Sequence, residues 1–347
     1  MAFMTPTAHA WGGDEDKQSS TPPPGPSGKA ADGELMASVS DTRIKLAYSG
    51  GRTSKASLGG LKPVDPHWRP PACWYEPVFS PKQLKDAVAT GGGGLVNAHV
   101  WWSNGLWVDH YEKAKSSDGT FGLTRTGGAG AGGYKNFNLG KQGMFWRSTV
   151  RKGRYQDPEA WDCGRIMFWQ EAGTIPEDEN APTPKTLAAF AYDKIKVPDA
   201  EIKLKPEGRS TVNLPTWMWL DKGTFRAVTV RADLPGTGLW AVTTAKPVAL
   251  HLEPGTADAE RYPASGDCLI GGDGSIGTPY VKGASHQDPP CGIAYLRATA
   301  GRPYELKASV TWDISWAGSG GAKGDLPDGT FENSRSVHVQ EIQTVNR

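Results

Sequence analysis

The chain has 347 residues, with 38 basic against 37 acidic side chains and a net charge of +1. Without a long block of one sign it lacks the electrostatic footprint of a nucleic-acid binder or of a protein held on an anionic membrane surface. Forty-four glycines and 27 prolines favour short strands and turns over helix bundles, and no apolar run approaches the ~18 residues of a membrane span.

Residues 1–10 read as a truncated signal peptide, because Ala8-His9-Ala10 has the small-x-small form of a cleavage site. Only seven residues precede it, so the reading needs a start further upstream; coincidence is the alternative. Residues 11–68 read as a disordered leader rich in Pro, Gly and Ser. Within it, residues 42–48 alternate Ile44 and Leu46 with charges, which allows a lone edge strand. Residues 69–206 form a tryptophan-rich α+β domain. There Ser80-Pro81 starts one helix, with Ser at the N-cap and Pro at N1, ending at Gly91. A strand or hairpin is expected over residues 96–108, a glycine-rich loop over 126–133, and strands over 143–150 and 163–169. Thr183-Pro184 starts a second helix that runs to about Lys194, with Leu187, Phe190, Ala191 and Ile195 near helical spacing.

From residue 207 to 347 the pattern is all-β. Strands are expected around Val212 and Leu214, then Trp217 and Trp219, with Pro215 marking a bulge between the two parities. Further strands follow over residues 225–232, 239–244, 248–252, 293–296, 304–316 and 337–345. The 304–316 stretch alternates without error: Tyr304, Leu306, Ala308, Val310, Trp312, Ile314 and Trp316 on one face, polar side chains on the other. That period means a strand with one buried and one wet face. Six or seven such strands separated by turns predict a mainly β protein with a C-terminal sandwich.

The four cysteines, Cys73, Cys163, Cys268 and Cys291, form no C-x-x-C pair. Of three pairings, Cys73–Cys163 and Cys268–Cys291 keep each bridge inside one half of the chain. Four buried free thiols remain the alternative, in a reducing compartment.

Three C-terminal segments carry a family resemblance: Gly277-Thr278-Pro279-Tyr280, Pro290-Cys291-Gly292-Ile293-Ala294-Tyr295, and Ala308 through Trp316. Together with Val212 to Trp217 and Val339 to Gln343, they resemble the PKD-type domain of bacterial secreted proteins. The likeness covers about the last 140 residues. It departs from the family at His251-Leu252-Glu253-Pro254-Gly255, where PKD domains carry an acidic, glycine-rich turn. The resemblance implies an Ig-like sandwich used as a surface, spacer or interaction module, and no catalysis.

Candidate chemistry concentrates in the first domain. Glu76, Asp109 and Glu112 are the carboxylates that a glycoside hydrolase would need in facing positions. Gly128-x-Gly130-x-x-Gly133 matches the dinucleotide fingerprint in letters, but Tyr134-Lys135-Asn136 after it opens no helix, so no cofactor is implied. Seven scattered histidines give no metal-ligand spacing, and Ser285-His286 with Asp288 sit too close in sequence to build a relay. Trp74, Trp101, Trp102, Trp107, Trp146, Trp161 and Trp169 cluster in this domain. Most such rings are core, yet exposed indoles are flat platforms for sugar rings or proteins. Trp101 and Trp102 are adjacent and point to opposite faces of a strand, so with Trp107 they are the expected ligand contacts.

The expectation is therefore an exported, non-enzymatic module at the cell surface or outside the cell, binding cell-wall polysaccharide or a surface protein. A carbohydrate-active hydrolase in the first domain is one alternative. A structural subunit that uses sheet edges for strand addition is another. No nucleic acid, metal or membrane span is expected.

Overall fold

A computed structural model describes residues 28–31, 34–38, 42–49, 58–89, 135–165, 167–198, 202–220, 225–271 and 274–342. β1 (Gly28–Ala31) and β2 (Glu34–Ser38) form an antiparallel pair, and β3 (Lys45–Ser49) lies against β2. β4 (Leu58–Gly60) and β5 (Lys62–Pro63) follow. The tryptophan-rich region contributes β6 (Cys73–Phe79), α1 (Pro81–Ala89), β7 (Gly143–Val150) and β8 (Met167–Glu171). Next come α2 (Pro184–Tyr192), β9 (Lys196–Pro198), β10 (Lys203–Lys205), β11 (Arg209–Thr211) and β12 (Pro215–Leu220). The remainder is β13 (Val228–Leu234), β14 (Leu239–Glu253), β15 (Ala259–Tyr262), β16 (Asp267–Leu269), β17 (Ile276–Gly277), β18 (Gly292–Tyr295), β19 (Tyr304–Gly318) and β20 (Lys323–Gln340).

The centre of the molecule is a ten-stranded sheet in the order β1-β2-β3-β13-β14-β19-β20-β11, with β16 added to β14 and β5 to β20. One of its inner strands, β19, between β14 and β20, is the alternating segment read from the sequence. Leu306, Ala308, Val310, Trp312 and Ile314 are buried, and Glu305, Lys307, Asp313 and Ser315 face water. Each fully buried aliphatic side chain of this kind contributes roughly 1.5–3 kcal/mol.

β14 solves a parity problem. Ala241, Thr243, Ala245 and Pro247 point inward, then Leu250 and Leu252 do, and the register against β19 shifts between Pro247 and Ala249. One extra residue flips the alternation, so the same face stays buried on both sides of the bulge. The two strands expected over residues 239–244 and 248–252 are thus one, continuous through Lys246-Pro247.

Two elements cover the inner face. At one end α2 packs down: Thr243 donates its hydroxyl to the Ala188 carbonyl at 3.0 Å. Gly318 lets the helix approach, since a Cβ there would sit 2.6 Å from Pro184. At the other end lies a second sheet, ordered β10-β12-β18-β15 with β17 on β12. Met218, Leu220, Ile276, Ile293 and Tyr295 from this sheet join Leu250, Leu252, Leu306 and Val310 in one apolar cluster. The Cys268–Cys291 disulfide ties β16 in the large sheet to the residue before β18 in the small one.

Several sequence expectations change here. Residues 42–49 and 58–68, read as disordered leader, belong to the fold. β3 is no lone edge strand either, since it lies between β2 and β13 with Ile44 and Leu46 fully buried. β4 pairs with β9, and β5 with β20. α2 and β9 fall before the expected boundary at 206, yet Leu187, Phe190, Ala191 and Val197 belong to the main core. Pro215 is not a bulge: the chain turns at Asn213, φ 59°, and leaves the large sheet for the second one.

Both helices start as their residues dictate. Ser80 Oγ accepts from the Gln83 N–H while Gln83 Oε1 accepts from the Ser80 N–H. Thr183 and Thr186 form the same reciprocal pair at α2. Among the described residues no helix is long and apolar enough to cross a membrane.

Candidate functional site

β6, β7 and β8 form a separate three-stranded sheet. Its small core is Cys73, Tyr75, Trp146, Cys163 and Phe168, with Tyr75 edge-on to Phe168 at 5.3 Å. The Cys73–Cys163 disulfide closes it.

Glu76, on β6, is completely buried. Its Oε2 accepts from the Thr42 hydroxyl at 2.7 Å, the Arg43 N–H at 3.0 Å and the Trp74 indole N–H at 3.3 Å. Its Oε1 takes Arg147 Nη2 at 3.3 Å. Arg43 itself donates to the Val78 carbonyl at 2.6 Å. Four donors converge on this buried carboxyl group, three of them on one oxygen, and satisfy it within the fold. Glu76 thus clamps the segment leading into β3 onto β6; the carboxylate named from the sequence as the alternative hydrolase acid sits fully buried in this seam. Asp109 and Glu112, its expected partners, lie outside the described residues, as do Trp101, Trp102 and Trp107.

The loop from residue 151 to 165 is built on the same sheet. Arg151 donates to the Pro71 carbonyl, pairs with Asp193 at 3.0 Å and lies over the Trp74 and Phe190 rings. Burial pulls its guanidinium below the ordinary arginine value, and the Asp193 charge pushes back. Arg154 donates to the Pro70 carbonyl at 2.7 Å and pairs with Asp157 and Glu159. Its hydrogen bond holds Asp157 below the usual carboxylate range. Asp157 also caps a short 3₁₀ turn, accepting from the Glu159 N–H at 3.1 Å. Cys163 anchors the far end.

This scaffold presents Trp161, 48 % exposed, and Tyr155, 41 % exposed. Of the ten described tryptophans, Trp161 alone is exposed; the others are buried or half-buried. Of the first-domain indoles, Trp74 and Trp146 are core and Trp169 is half-buried. The sequence placed Trp161 in the cluster but not among the ligand contacts, because nothing local marks it as outward.

A second polar cluster was not read from the sequence. His251, on β14, and Asp267, on β16, are cross-strand partners, with Nδ1 and Oδ1 2.6 Å apart. Both are accessible, at 34 % and 49 % side-chain exposure. They are 16 residues apart in sequence, and only the strand register joins them. Asp288, by contrast, lies beside Tyr262, whose hydroxyl is raised by burial and then by the Asp288 and Glu260 charges. Among the described residues no group of three or more His, Cys, Asp or Glu is arranged to hold a metal ion. No family model, no curated protein and no solved structure matches this chain.

Proposed function

We propose that the protein is an exported, non-enzymatic interaction module of the cell surface or extracellular space, which binds polysaccharide or a surface protein through exposed aromatic side chains. The observation that carries the proposal is Trp161: an exposed indole on a loop fixed by a disulfide and two arginine anchors, Arg151 buried and Arg154 half-buried. A rigid ring loses little entropy on contact, and that is why aromatic residues on fixed loops bind well. Two disulfides fit an oxidising compartment. The C-terminal part, with two sheets joined by one of these bridges, is read as a PKD-type, Ig-like module. The family segments at β18 and β19 support that reading.

Pull-down of the full chain on purified cell wall and on insoluble polysaccharides tests the proposal. Trp161→Ala is expected to lose most retention while its thermal midpoint stays within about 1–2 °C of wild type, as befits an exposed side chain. Trp101→Ala and Trp102→Ala in the same assay measure the contacts expected from the sequence. Equal retention of wild type and all three variants, or retention of none, would sink the aromatic-platform reading.

A further inference from the structure

The edge of β20 that faces away from β19 has a notch in it. Towards β19 the ladder runs without a shift from Gly329 to Val337. On the other side β5 covers Gly329 and Thr330, and β11 covers His338 to Gln340. Which backbone groups open into the gap is fixed at both of its ends. The Asp328 carbonyl accepts from the Val64 N–H at 2.7 Å, and the Gln340 carbonyl accepts from the Val212 N–H at 3.0 Å. Val339 turns the other way, its carbonyl accepting from the Thr299 N–H at 2.9 Å and its own N–H donating to Thr299 Oγ1 at 3.2 Å. Successive residues of an antiparallel strand alternate in this direction. Glu332, Ser334 and Ser336 therefore turn their N–H and C=O groups into the notch. All three are exposed, and among the described residues no strand lies beside them.

The walls of the notch come from the inner face of the sheet. Gly59 of β4 lies against the Phe331 ring there, and Arg335 Nη1 donates to the Ile202 carbonyl at 3.3 Å. At the β11 end the notch widens into a shallow cleft lined by Leu204, Pro206, Arg209, Arg335 and Val337, with no carboxylate among its lining residues. The bond to Ile202 uses one of the five N–H donors of Arg335. On the outer face the side chains are engaged across β19: Lys307 reaches Glu332 at 4.0 Å, and Ser336 Oγ donates to Glu305 at 2.7 Å.

A row of unpaired edge groups is a template for another strand. Length decides which strand fits, because Glu332 to Ser336 spans only ~17 Å at ~3.3 Å per residue. A second copy of this chain is too long for it. Its β20, laid antiparallel across a two-fold axis, would run past both ends into β5 and β11. A linear peptide that touches the edge briefly and leaves over the outer face does fit. The two arginines select its charge, since a carboxylate gains their donors while a basic side chain meets like charge.

We infer that the notch between β5 and β11 docks an extended peptide of a partner protein, which adds a short strand to β20 and sets an acidic side chain between Arg209 and Arg335. This is a second surface, beyond the aromatic one proposed above and independent of it.

The test is selection of phage-displayed random heptapeptides on the immobilised full chain, followed by titration of the enriched synthetic peptide by fluorescence polarisation. Enriched sequences are expected to carry Asp or Glu at one fixed position. Bound peptide should slow amide exchange at Glu332, Ser334 and Ser336 in the wild-type chain. Ser334→Pro removes an outward N–H that the β19 ladder does not use, a place where an edge strand tolerates proline, and should weaken binding by ~tenfold or more. Arg335→Glu should weaken it by a similar factor. No enriched sequence, equal affinity for Ser334→Pro and wild type, or exchange slowed elsewhere but not in β20 overturns the site. Trp161→Ala is expected to bind the peptide as wild type does; a loss there also overturns the site, by placing the peptide on the aromatic surface.

Discussion

The large sheet and the three-stranded sheet are held by different physics. The first is stabilised by alternation: three long strands, β14, β19 and β20, bury one face under α2 and the second sheet, and most of the cluster is aliphatic. The second has three short strands and a core that includes two cysteines and three aromatic rings. It keeps its shape through a disulfide, the Glu76 clamp and the Arg151 and Arg154 anchors. A region too small to bury enough apolar surface compensates with covalent and charged ties. Those ties also position the exposed indole.

Breaking each region at its own support tests the comparison. Trp312 is fully buried in β19 and tilted against Phe225 at 6.3 Å. Trp312→Ala should cost about 3–5 kcal/mol, read by urea unfolding. Cys163→Ser removes the bridge spanning 90 residues and should cost about 2–5 kcal/mol. The location of the loss sharpens the picture. Hydrogen exchange should quicken across β6, β7 and β8 while β14 and β19 keep their protection. Equal loss in both sheets would show one cooperative unit and remove the distinction.

Glu76→Gln probes the seam between the two. The amide keeps an acceptor for Thr42 and Trp74 but loses the charge that faces Arg147. A cost of about 1–3 kcal/mol is expected. Faster amide exchange should appear first in β3, which the clamp fastens. Unchanged exchange in β3 would mean that Ile44 and Leu46 alone hold it.

The contrast also explains what was legible in the sequence. β19 could be read residue by residue because a half-buried strand writes its burial as period two. α1 and α2 could be read from their caps, which are local. β20 could not: between Lys323 and Ser336 it carries Gly324, Pro327 and Gly329, and its register shifts against β19 between Trp312 and Ile314. Those letters mark a turn, and only its neighbours make it a strand. β3 shows the same limit, because two apolar residues in a polar leader fold only when a core waits for them. The His251–Asp267 pair is a product of register alone, and Trp161 differs from the buried indoles only in where its loop is tied.

The smallest expected effect lies at the edge of the large sheet. Asp328, in the bulged part of β20, is raised above the usual carboxylate value by burial and then by the charges of Asp313 and Asp325. A carboxylate whose folded value exceeds its unfolded one contributes stability below the unfolded pKa, and that contribution is lost as pH rises through the folded value. At neutral pH the ionised Asp328 therefore works against the fold. Asp328→Asn removes the charge and leaves the backbone carbonyl, which accepts from the Val64 N–H at 2.7 Å. The side chain is exposed and solvent screens its neighbours, so the gain is small: a rise of about 1–2 °C in Tm at pH 7. That difference should shrink as both proteins are melted toward pH 3. A gain that persists unchanged at low pH would trace it to packing around Val64 rather than to repulsion among the three aspartates.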